Sequence, residues 1–162
     1  MLLRYQVTLL VALLFLPFLA CADPEPWMKK TNPDELAIII YTMFDCPFSK
    51  DEISAITDDI LAEPGIKKII PDQTDPDDFP ALSISAKCAE IPGGYIYDYD
   101  IDFVAFRSPD DSEKHVIRLG SHGYGAYGQG RAETALNALR RYIQGAIADY
   151  VSSNSDLQNS GQ

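Results

Sequence analysis

Cys46 stands in a setting where a cysteine can do chemistry. It follows a continuous apolar run, Leu36 to Tyr41, and opens the stretch Cys46-Pro47-Phe48-Ser49. Ile53, Ile56, Ile60 and Leu61 then recur at helical spacing, and Ser49 precedes Glu52 by the three positions of a capping box. A thiol beside a helix N-terminus gains thiolate character. Asp45, Asp51 and Glu52 work against this, because anionic neighbours disfavour a second negative charge. Cys88 offers the competing chemistry, a permanent partner. A disulfide between Cys46 and Cys88 closes a long loop and stabilises the fold by about 4 kcal/mol on the chain-entropy account.

Three other groups of residues invite a functional reading. Gly120 to Arg131 (GSHGYGAYGQGR) is glycine-rich and precedes a long helical pattern. Such a loop can cradle an anion with its N–H groups, yet the G-x-x-x-x-G-K-[ST] signature is missing. It reads as an irregular connection that offers Tyr124, Tyr127, His122 and Arg131 to a partner, since tyrosine combines rigid area with a polar tip. Asp98, Asp100 and Asp102 alternate along one strand and share its face. Alternate strand residues lie about 6.8 Å apart, too far for three carboxylates to converge on one ion unaided. A solvated acidic face is expected there. Asp72, Asp75, Asp77 and Asp78 crowd a Pro-rich loop without EF-hand spacing, and His115 and His122 form no zinc pattern. There is no G-x-S-x-G elbow. The expectation is therefore no catalytic residue, no metal and no cofactor.

The stretch Ile38 to Ser49 (IIIYTMFDCPFS), an apolar strand followed by Cys-Pro-x-Ser and a helix, resembles a monothiol glutaredoxin active site. Phe79-Pro80-Ala81 before the next strand is similar to the cis-proline of that family. The resemblance implies a thioredoxin-type fold and a nucleophilic Cys46, hence thiol–disulfide exchange. Met43 and Phe44 stand where the glutaredoxin pattern has a lysine just upstream of the cysteine, and Ser49 occupies the fourth position of the motif.

The N-terminus says where the chain goes. Arg4 precedes about a dozen apolar residues, Val7 to Phe18, and Ala20-Cys21-Ala22 is a small-residue site before Asp23-Pro24-Glu25-Pro26. This is the order of a secretory signal peptide, cut after Ala22; lipidation at Cys21 is the alternative. The run is short of the roughly 20 residues a membrane span requires, and no such run follows, so no span is expected in the mature chain. Export removes Cys21 and leaves an even pair in an oxidising compartment, periplasmic or extracellular.

Removing the first 22 residues also leaves 12 Lys+Arg against 24 Asp+Glu, a net charge of −12. That excludes a nucleic-acid partner bound through phosphates, which needs a basic footprint. It favours a basic protein partner.

The elements follow from periodicity. Residues 23–34 are an extended leader, and 35–152 a single α+β domain. It contains a strand, a helix ending at Pro64-Gly65, a short strand at Ile66–Ile70, and strands at Ala81–Ile91, Tyr95–Arg107 and His115–Gly120. A helix from Arg131 to about Ser152 closes it, with Leu136, Leu139, Ile143, Ile147 and Tyr150 as its stripe. A largely antiparallel sheet carries both helices on one face, and 153–162 are a disordered tail. Thioredoxin-like topology is the alternative. The expected function is an exported, non-enzymatic binding or accessory protein of the cell envelope, an inhibitor or immunity-type protein for a basic partner. The alternative is a thiol–disulfide protein acting through Cys46.

Overall fold

The computed structural model describes residues 28–42, 45–71, 80–107, 115–119 and 123–158. Residues 1–27, which include Cys21 and the expected signal segment, and the acidic loop at 72–79 lie outside them.

The chain forms β1 (Glu35–Thr42), α1 (Lys50–Ala62), β2 (Lys67–Ile69), β3 (Ala81–Ile91), β4 (Gly94–Arg107), β5 (His115–Arg118), β6 (Tyr124–Gly130) and α2 (Ala132–Gln158). The strands make one mixed sheet, ordered β2-β1-β3-β4, with β5 and β6 both paired to β4. β1 is parallel to β2 and β3; β3, β5 and β6 are antiparallel to β4. The fold is α+β, with a parallel portion around β1.

β5 and β6 share one position in the sheet, end to end. β5 pairs with Val104 to Arg107 and β6 with Tyr95 to Ile101. Asp102 and Phe103 lie between the two pairings. Leu119 rejoins the ladder by donating its N–H to the Phe103 carbonyl at 2.7 Å.

One face of the sheet is the core. Leu36 and Ile38 of β1, Leu82, Ile84 and Ala86 of β3, and Tyr97, Tyr99, Ile101 and Phe103 of β4 meet Ile53, Ile56, Ile60 and Leu61 of α1. Ala135, Leu139, Ile143, Ile147 and Tyr150 of α2 complete the same cluster. The strand alternation and the helical stripes thus bury the residues their spacing selects, with Leu136 only half-buried. Ser49 starts α1 as a full capping box: its hydroxyl accepts from the Glu52 N–H at 3.2 Å, and the Glu52 carboxylate accepts from the Ser49 N–H at 2.7 Å.

Two segments differ from the sequence expectation. The glycine-rich stretch is the regular strand β6 from Tyr124 onward, not an irregular loop. Its glycines fit because neighbouring side chains of β4 and α2 come close: a Cβ at Gly128 would lie 2.6 Å from the Tyr97 hydroxyl, and one at Gly130 2.9 Å from the Thr134 side chain. α2 continues six residues past Ser152, to Gln158. Asn154 explains this, being buried and bonded to three backbone groups. Its Oδ1 accepts from the Lys30 N–H, and its Nδ2 donates to the Met28 and Tyr150 carbonyls. The same bonds dock the end of the leader, where Met28 and Lys30 are buried.

Candidate binding face

Cys46 stands just before α1, and Cys88 lies on β3 among the residues that face the helices. The two are joined as a disulfide, with Cα atoms 4.7 Å apart and the cysteines 42 positions apart in sequence. The bridge ties the entry of α1 to the middle of the sheet. Asp45, immediately before it, takes the left-handed backbone conformation at φ 67°. Aspartate is among the few residues other than glycine that adopt this conformation with modest cost.

The opposite face of the sheet carries no helix among the described residues, and its side chains form rows set by the ladder register. Ala37, Ala81 and Val104 make an apolar row at one end, flanked by the half-buried Ile39 and Ile69. The next row is Ile39, Ser83 and Asp102. Tyr41, Ser85, Asp100 and Gly125 follow, and then Lys87, Asp98 and Tyr127. The face changes from apolar to acidic along the strands. Burial follows the same gradient, from Asp102, 8% exposed, through the half-buried Asp100 to the exposed Asp98.

This arrangement unites some of the residues singled out in the sequence and separates others. Asp98, Asp100, Asp102 and Tyr127 share the open face. Tyr127 is 78% exposed. Tyr124 turns to the other side, where its hydroxyl bonds to Asp149 of α2. Arg131 is exposed between β6 and α2. His122 lies outside the described residues. Tyr41, Ser83, Ser85 and Lys87 join the acidic residues without having been singled out. The apolar run Leu36 to Tyr41 conceals Tyr41, which is 46% exposed. A strand apolar on both faces gives no sign of which end emerges from cover.

The shifted ionisations among the described residues are structural. Glu35 is held below the ordinary carboxylate range by its hydrogen bond to Lys67, 2.8 Å away, and by the charge of that lysine. Glu52 is held low by its bonds from the Ser49 backbone and side chain. Tyr99 and Tyr150 are pushed up, chiefly by burial.

Among the described residues no group of His, Cys, Asp or Glu is placed to hold a metal ion, and no helix is long and apolar enough to cross a membrane. What the open face can do is present carboxylates beside an aromatic ring at a fixed spacing. No protein-family profile matches the chain, and no curated protein matches it.

Proposed function

We propose that this is an exported binding protein, periplasmic or secreted, that holds a basic protein partner, as an inhibitor or immunity-type protein does for a cationic enzyme. The observation that carries the reading is the sheet face that bears no helix among the described residues, where Asp98 and Asp100 stand in register with Tyr127 and Gly125. Carboxylates fixed on a rigid strand beside an exposed aromatic ring give electrostatic complementarity and a contact anchor together. The N-terminal pattern and the Cys46–Cys88 bridge support the compartment.

Immobilised mature protein is incubated with an envelope extract at low and at high salt, beside its Asp98→Asn/Asp100→Asn variant. The reading expects a basic protein retained at low salt, released at high salt, and not retained by the variant. Retention that ignores both salt and the two substitutions would overturn it. N-terminal sequencing of the mature chain should begin at Asp23; an intact Met1 would refute export by this signal.

A further inference from the structure

The two edges of the sheet differ in a way that suggests where a partner attaches. β2 forms one edge with three residues, two of them lysines, Lys67 and Lys68. Shortness and lysine are standard protections against unwanted strand pairing. β6 forms part of the other edge with seven residues, Tyr124–Gly130, and has neither protection. It carries no charge and no proline. Among the described residues it pairs only with β4, and no described strand lies along its outer side. Its core-facing side is occupied: Tyr124 is bonded to α2, and Gly128 has no room for a Cβ beside the Tyr97 ring.

Register supplies the second observation. Gly125 is opposite Asp100, and Tyr127 is opposite Asp98, all on the open face. A strand added outside β6 would lie about 10 Å from β4, two interstrand spacings away. Between them at the Asp100 level stands only Gly125, which has no side chain. A long cationic side chain on the added strand can therefore lie across the bare backbone of Gly125 and meet the Asp100 carboxylate. Two positions further along it would pass Tyr127 toward Asp98. The partner this fits is an extended segment with Lys or Arg at alternate positions, because alternate strand residues share a face.

We infer that β6 is a docking edge for such a basic extended segment, which joins the sheet as an added strand and places alternate cations over Asp98 and Asp100. This rests on the basic-partner reading and specifies how the partner is held. A second copy of the chain is a poorer occupant, since pairing two β6 edges brings two acidic faces together.

The test uses a nine-residue peptide alternating Lys and Thr, and the same peptide with every backbone amide N-methylated. Both carry the same charge, but only the first can pair as a strand. Binding to the mature protein is measured at low salt, with amide exchange followed along β6. The expected result is at least tenfold tighter binding of the unmethylated peptide, with slowed exchange at alternate amides of Tyr124–Gly130. Tyr127→Lys should weaken that binding tenfold or more while leaving the circular dichroism spectrum unchanged. Equal binding of both peptides, lost in Asp98→Asn/Asp100→Asn, would overturn strand addition and leave the acidic-face reading standing. Failure of both peptides to bind at millimolar concentration would also overturn it, the partner reading then resting on the extract experiment alone. Slow β6 amides and a dimer in the absence of peptide would overturn it in favour of self-pairing.

Discussion

Cys46→Ala and Cys88→Ala remove the same covalent link, so the two variants should lose similar stability, up to about 4 kcal/mol, with the double variant no worse than either. Urea denaturation of the three proteins checks this. Unequal losses would mean that one sulfur does more than close the bridge. Asn154 makes a separate case. It is 1% exposed and satisfies the Lys30 N–H together with the Met28 and Tyr150 carbonyls. Asn154→Ala strands these groups away from water, which should cost roughly 2–4 kcal/mol and make residues 28–34 newly sensitive to protease. Neither the burial nor the role of Asn154 can be read from its neighbourhood, Val151-Ser152-Ser153-Asn154-Ser155, which is polar like a fraying terminus. The information lies more than 120 positions away, at Met28 and Lys30.

Among the elements, α1 and the β3–β4 hairpin are legible because their apolar periods are clean and their ends carry specific chemistry. Ser49 and Glu52 mark the start of α1, and Pro92-Gly93 makes the turn between the strands, with Gly93 at φ 90°. β6 is not legible because it lacks the β-branched residues that mark a strand, and glycine reports freedom where the fold demands closeness. Gly128→Ala separates these meanings. The new methyl would meet the Tyr97 ring, which is buried and stacked on Tyr99 with centroids 5.0 Å apart. A loss of about 1–3 kcal/mol is expected on thermal unfolding. The capping box gives a pH signature at the other end of the scale. Glu52 titrates below its ordinary value when folded, so its contribution is present above the unfolded carboxylate pKa and fades as pH falls through the folded one. Glu52→Gln should remove that part of the acid-side decline in melting temperature, while Ser49→Ala should cost about 1 kcal/mol at neutral pH.

At the scale of the molecule, two buried tyrosines set the alkaline limit. The Tyr99 hydroxyl donates to the Ala135 carbonyl, and that of Tyr150 lies 3.1 Å and 3.2 Å from the Pro33 and Glu35 carbonyls. Both phenols ionise at higher pH in the folded protein than in the unfolded chain, so their contribution is complete below about pH 10 and is lost as pH rises beyond it. Alkaline titration followed by circular dichroism should show unfolding above that point, with a shallower slope in Tyr99→Phe and Tyr150→Phe. The charge balance is a whole-molecule property that composition states directly. Which face stays open depends on where both helices settle, a property of the assembled sheet. The latch between Lys30 and Asn154 spans 124 positions, and this sets a timetable. At about 5–20 residues per second, a ribosome that has made Lys30 needs roughly 6–25 s more to reach Asn154. Until then the segment at Met28 and Lys30 has no helix end to lock against, so this latch closes only after the Asn154 turn of α2 has emerged.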